Sequence, residues 1–264
     1  MGVIIIGGGQ AGIQTADSLR SGGYTDSITI NVISATAPAA VGNMLPANGA
    51  LDASMPLKLS WSPGANASNY DVYIWPTGTD RPASPAIRNI TSINYNYQGR
   101  LTYGISYNWQ VVARNSCLQT AGPVQTFTLR ELPDLIVQNV KTPTFLYANQ
   151  QLTAGWEVKN TGAGSTNAQS WKDAVYISLD TILNLNTDIL LGSVNNTSYL
   201  PAGQSYVQSA SFSMPENIAG TYYVLVVADV NKQLLESDEE NNYANNGGET
   251  MLSISIPPKA DLIV

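Results

Sequence analysis

The stretch Tyr107-Asn108-Trp109-Gln110-Val111-Val112-Ala113 sets Tyr107, Trp109, Val111 and Ala113 at every second position. Alternation with a period of two puts those side chains on one side of an extended strand, so the stretch reads as a β-strand with one face in a core. Working outward, Leu57-Lys58-Leu59-Ser60-Trp61 alternates in the same way, with Leu57, Leu59 and Trp61 on one face. Tyr70-Asp71-Val72-Tyr73-Ile74-Trp75 follows after the turn-rich Ser62-Pro63-Gly64-Ala65-Asn66, Ile93-Asn94-Tyr95-Asn96-Tyr97 alternates again, and Val124 to Leu129 closes the set. Short strands at roughly 8 to 12 residue spacing, separated by turn formers, predict an antiparallel sandwich.

Over about residues 40 to 130 this arrangement resembles a fibronectin type III domain. Trp61 stands where that family keeps a core Trp on its second strand. Leu101 and Tyr107 match the corner in which a Tyr hydroxyl bonds back to the chain ahead of the penultimate strand. Tyr107, Trp109, Val111, Ala113 and Asn115, followed by Gly122-Pro123 and Phe127, look like the modules that punctuate bacterial surface proteins and large hydrolases. The module is expected over 38–130.

Leu132-Pro133 breaks the pattern, and Asp134-Leu135-Ile136-Val137 starts a second set of strands. Thr153 to Asn160 alternates and ends on Thr161-Gly162-Ala163-Gly164; Trp171 to Leu179, Gln204 to Met214 and Met251 to Ile256 are further strands. Gly220-Thr221-Tyr222-Tyr223-Val224-Leu225-Val226-Val227-Ala228-Asp229 is the longest apolar strand of the chain. The run from Gly220 to Asn242 resembles the CARDB family, the cell-adhesion-related domain of bacteria, through Gly220, Tyr222, Ala228, Asp229, Glu236, Glu240, Asn241 and Asn242. Asp173 to Asp180, with Leu190-Leu191-Gly192, fits the middle of that family. The resemblance implies an immunoglobulin-like domain over 133–257. Pro133-Asp134-Leu135-Ile136-Val137 returns as Ala260-Asp261-Leu262-Ile263-Val264, so residues 258–264 are expected to start a further repeat of a longer array.

The opening has another character. Val3 to Ile6 reads as a strand, Gly7, Gly9 and Gly12 fit G-x-G-x-x-G, Ile13 to Leu19 suits a helix, and Ile28 to Ile33 a second strand. Residues 1–33 resemble the N-terminus of an FAD-dependent pyridine-nucleotide-disulfide oxidoreductase, a family that holds its dinucleotide on those glycines. A working site also needs a multi-stranded parallel sheet and an acid roughly 20 positions on. Ser34-Ala35-Thr36 stand where the acid belongs, and no further βαβ unit follows. The segment therefore reads as a truncated strand-helix-strand stub with vestigial glycines and no bound flavin.

The fold class is all-β: two tandem immunoglobulin-like β-sandwiches preceded by that stub. Composition narrows function further. A net charge of −7 with only 12 scattered basic residues argues against a nucleic-acid partner. The chain has no His, which removes Ser-His-Asp and Cys-His catalysis and every His-ligated metal site. The single Cys117 excludes an intrachain disulfide, and without His or a nearby Lys it has no evident activation. No apolar run reaches the roughly 18 to 20 residues of a membrane helix, so membrane insertion is not expected. Met1 to Ile6 has no basic region before it, and no signal peptide is read here.

Two acidic groups could carry oxygen ligands. Asp180, Asn184, Asn186 and Asp188 have loop spacing suited to Ca²⁺, but Ile182, Leu185 and Leu191 break the EF-hand pattern. Glu236, Asp238, Glu239 and Glu240 read as a solvated hairpin with Asn241-Asn242 in its turn. Trp75, Tyr95 and Tyr97 are the aromatics that could form a ligand platform; Trp61, Tyr107 and Trp109 share parity with aliphatic residues and read as core. No enzyme is expected. The chain reads as a structural or adhesive spacer of a multidomain extracellular or cell-surface bacterial protein. Its expected partners are further domains of the same polypeptide and a surface glycan or protein. The alternative is a glycan- or peptide-binding accessory module of a secreted hydrolase. No cofactor is expected beyond the candidate Ca²⁺.

Overall fold

The computed structural model describes residues 3–6, 17–23, 25, 28–31, 36–166, 170–196, 199–247 and 251–258. The chain divides into two units, Met1–Leu129 and Arg130–Val264. Among the described residues no helix is long and apolar enough to cross a membrane.

At the start of the first unit, β1 (Val3–Ile6) and β2 (Ile28–Asn31) pair in parallel, Val3 opposite Ile28, and residues 17–21 are helical. This is the strand-helix-strand stub. Gly7, Gly9 and Gly12 lie outside the described residues. The sandwich that follows has one sheet of β3 (Gly42–Leu45), β5 (Leu57–Ser62) and β8 (Asn94–Tyr97). The other runs in the order β4 (Ala50–Ala53), β11 (Gln125–Leu129), β9 (Ser106–Arg114), β6 (Asn69–Pro76) and β7 (Ile87–Ile90), with β10 (Gln119–Ala121) also paired to β9. Leu57, Leu59 and Trp61 from the first sheet meet Tyr107, Trp109, Val111, Ala113 and Phe127 from the second in one core. The corner at Tyr107 is formed: the Thr102 amide donates to Tyr107 Oη at 2.8 Å, and the ring stacks on Phe127 at 5.8 Å. That bond satisfies a backbone donor and the phenol together, which a buried Tyr needs.

In the second unit, β12 (Leu135–Lys141), β14 (Gln151–Asn160) and β17 (Ser205–Ser213) form one sheet. The facing sheet runs β13 (Phe145–Tyr147), β20 (Leu252–Ser255), β18 (Gly220–Val227), β15 (Trp171–Ser178) and β16 (Ile189–Asn196), with β19 (Tyr243–Asn245) on β18. The core gathers Leu152, Trp156 and Val158 from one sheet and Trp171, Val175, Ile177, Val224 and Val226 from the other. The unbroken apolar run of β18 has a structural cause. Val224 and Val226 enter that core, while Leu225 and Val227 join Ala174 and Tyr176 in a second cluster on the outer face, which Leu183, Val230 and Tyr243 cover. A strand buried on both faces loses the polar half of its alternation.

The turn at Thr161 to Gly164 does more than end a strand. A Cβ at Gly164 would lie 2.1 Å from the Glu131 carbonyl oxygen, and one at Gly162 would lie 2.5 Å from that of Leu132. Only glycine lets the segment entering β12 pass this close.

Candidate functional site

The chemistry of the second unit gathers at the loop joining β18 to β19. Asp229, with φ 43°, turns the chain out of β18. Its carboxylate accepts the amides of Gln233 at 3.0 Å and Leu234 at 2.6 Å, which folds the loop back on itself. Glu236 is not part of a solvated hairpin: it is 4% exposed. Its Oε2 accepts the Leu135 amide at the start of β12, and its Oε1 accepts Asn242 Nδ2 at 2.6 Å. The Ser237 amide donates to the Pro133 carbonyl at 2.9 Å, and Asn241 Nδ2 donates to Asp134 Oδ1 at 3.0 Å. The acidic loop thus clips the entering segment, and its buried positions alternate with exposed ones because Leu234 and Glu236 face inward.

Burial raises the carboxyl of Glu236 to about 7, against two hydrogen bonds that lower it; repulsion from Glu239 and Asp229 adds to the rise. A second buried acid, Asp173 on β15, accepts Trp156 Nε1 at 3.0 Å and the Tyr206 hydroxyl at 2.6 Å. Trp171 Nε1 donates to the same Tyr206 oxygen at 3.2 Å. Burial raises Asp173 despite these donors. The network joins β14, β15 and β17, so it ties the two sheets together through polar bonds inside the core.

Next to the clip lies a cavity of about 350 Å³. Its walls come from the β15–β16 loop, through Ile182, Leu183 and Leu185, and from the β18–β19 region, including Asp229, Glu240 and Tyr243.

The proposed calcium ligands occupy the β15–β16 loop, where their oxygens hold the loop's own amides. Asp180 Oδ1 accepts from Ile182 at 2.8 Å, Asp188 Oδ2 from Asn184 at 2.8 Å, and Asn184 Oδ1 from Asn186 at 3.0 Å. Among the described residues no three acidic or Cys side chains gather as metal ligands. The three aromatics are dispersed. Trp75, 7% exposed, packs with Tyr73 and Val112 on the outer face of its sheet, where Arg81 lies over the Tyr73 ring at 4.4 Å. Tyr95 and Tyr97 stand on β8 in the other sheet, opposite the buried Leu59 and Leu57, so they point to the core side. Tyr97 packs against the core, and Tyr95 is 37% exposed. Cys117 is exposed in the turn between β9 and β10.

Sequence reasoning missed the burial of Glu236 and Asn242. The signal was present in their spacing behind Leu234, but acids in a run of acids resemble a wet turn until the partner amide of Leu135 is known.

The family model of the CARDB domain matches residues 132–246. No curated protein matches the chain. Among solved structures, a CARDB domain from Pyrococcus furiosus, determined in complex with di-metal ions, is similar at 23% identity and a TM-score of 0.35, covering 49% of this chain and 100% of that one. The solution structure of the same domain gives 25% identity and a TM-score of 0.35, over 48% and 99%. The FN1–FN3 domains of chicken CNTN1 are similar at 15% identity and a TM-score of 0.29, over 84% of this chain and 68% of that one.

Proposed function

We propose that this chain is a structural and adhesive spacer within a multidomain secreted or cell-surface bacterial protein, without catalytic activity of its own. The observation that carries the reading is the CARDB match over residues 132–246, because a sandwich fold by itself hosts many functions. The use of side chains supports it. Glu236 and Asn241 bond the entering segment, Asp229 folds the loop that carries them, and Asp173 ties β14, β15 and β17 together inside the core. Residues placed this way resist separation of strands and offer no paired acid and base in a desolvated cleft. Its partners are the neighbouring domains of the polypeptide and a surface glycan or protein. The spacer needs no cofactor.

The test is immunolabelling of the producing bacterium with antibodies raised against the purified chain. Label on intact cells or in the culture medium is expected; label seen only after permeabilisation would overturn the reading. A glycan array with the same protein addresses the accessory-module alternative. Saturable binding there, lost on replacing Tyr95, would favour that alternative.

A further inference from the structure

The strand β17 (Ser205–Ser213) closes one side of its sheet, whose order is β12, β14, β17. It pairs with β14 without a break, from Ser213 opposite Gln151 to Ser205 opposite Lys159. The Met214 amide donates to the Gln150 carbonyl at 2.8 Å, and the Asn160 amide to the Gln204 carbonyl at 2.9 Å. Those bonds join directly opposed residues at both ends of the ladder, so the even-numbered residues of β17 turn their N–H and C=O toward β14. Ser205, Val207, Ser209, Ser211 and Ser213 turn theirs the other way, to a side where no strand follows among the described residues.

An open row of backbone donors and acceptors is a template for another strand, and proteins blunt such edges with short length, bulges, proline or charge. The other described edges carry such protection. They are three or four residues long or, in β12 and β16, broken by a shift in register. β17 has none of it: nine residues, Ser205-Tyr206-Val207-Gln208-Ser209-Ala210-Ser211-Phe212-Ser213, with no charge, no proline and no bulge. Its solvent face is also set in place. The hydroxyls of Thr153 and Ser211 share a hydrogen bond at 2.8 Å, Gln151 Nε2 donates to Ser213 Oγ at 2.9 Å, and Val207 is 77% exposed.

We infer that β17 pairs edge to edge with β17 of a second copy of this chain, antiparallel about a two-fold axis at Ser209, which joins the two β12–β14–β17 sheets into one. Two-fold pairing sets Ser205 opposite Ser213, Val207 opposite Ser211, and Ser209 opposite Ser209. All of these residues face outward, so each opposed pair exchanges both backbone bonds. Their side chains are small and uncharged, and no like charges meet across the seam. That neutrality selects the partner. The chain carries a net charge of −7, so two copies repel one another unless the surfaces that meet are neutral. β17 is such a surface, and its outward residues match themselves in size and polarity when the strand is reversed, as a two-fold contact requires. A strand offered by another protein would need no such symmetry. The pairing adds lateral association to a spacer and does not depend on where the chain is displayed.

The test is sedimentation velocity of the full chain, kept reduced so that the exposed Cys117 forms no disulfide. A monomer–dimer equilibrium is expected within about 10 to 1,000 µM, as suits an interface at the small end of the range. Ser209→Lys places two ammonium groups opposite each other at the axis, and Ser209→Asp two carboxylates; each variant alone should dimerise about tenfold more weakly. Mixed in equal amounts, the two variants should pair with each other at least as tightly as the wild type pairs with itself. Ser209→Pro removes an amide that β14 does not use, and should also weaken the dimer about tenfold while hydrogen-exchange protection in β14 persists. A wild-type chain that stays monomeric up to about 1 mM would overturn the inference and leave the edge to a strand of another protein. So would a dimer indifferent to Ser209→Lys, or a mixture of the two charge variants that associates no better than either alone.

Discussion

Between about pH 5 and pH 7.5 the second sandwich is expected to lose stability as the pH rises, and Glu236 is the main cause. Its carboxyl titrates from 4.5 in an ordinary setting to about 7 in the folded chain. The folded state therefore holds a proton that the unfolded state has released, and stability falls with pH across that window. The contribution is fully present below about 4.5 and gone above about 7. Taken at face value the displacement corresponds to about 3 kcal/mol; screening of a loop carboxylate brings the expected loss to about 1.5 kcal/mol. Asp173, also raised, acts in the same direction. The assay is urea unfolding of the full chain at several pH values, with hydrogen exchange of the Leu135 amide and of β18 reporting the second unit. Glu236→Gln supplies the comparison. Rotation of the Asn242 amide would turn its unpartnered Oδ1 toward the new NH₂, so the neutral clip can form. The variant should unfold near the wild-type midpoint at about pH 5, resist urea better at pH 7.5, and show most of the slope removed. A wild type that gains stability from pH 5 to 7.5, or a variant with the same slope as the wild type, would refute the reasoning.

Other perturbations have equally specific outcomes. Tyr107→Phe strands the Thr102 amide and should cost the first unit about 1–2 kcal/mol in urea unfolding, leaving exchange in β14 and β18 unchanged. Gly164→Ala forces a Cβ onto the Glu131 carbonyl and should cost the second unit about 2 kcal/mol or more, whereas Gly155→Ala, whose nearest neighbour is 3.8 Å away, should be tolerated. Protein incubated with FAD and desalted should carry no flavin absorbance; a stoichiometric yellow product would mean that the opening segment is a working dinucleotide site.

Much of the fold was legible because parity is a local property. Leu57, Leu59 and Trp61 share a face in the sequence and the same core in the structure. The resemblance to the fibronectin type III family placed Tyr107 at its corner, after Leu101. The strands β3, β4, β7, β10, β13 and β19, three or four residues each, were not read, and neither was the eight-residue β16, whose Ile189-Leu190-Leu191 opening does not alternate. Trp75 was an open case for a different reason. Its alternation places it opposite Ile74, but only the fold reveals that Tyr73 and Val112 shelter the outer face too. The site was the least legible part. Glu236 looks like any surface acid until a strand a hundred positions earlier supplies its donor, and the cavity beside it needs two loops that are far apart in the chain.

That long reach has a consequence for how the protein comes into being. The Leu135 amide, an early element of its sandwich, finds its acceptor on Glu236, 101 residues later. At a synthesis rate of roughly 5 to 20 residues per second, the ribosome needs about 5 to 20 seconds to make the intervening chain. Throughout that interval β12 has no clip, while its sheet partner β14, and then β17 on the far side of β14, emerge one at a time. All strands of the first sandwich, the last of which ends at Leu129, are synthesised before any of this begins.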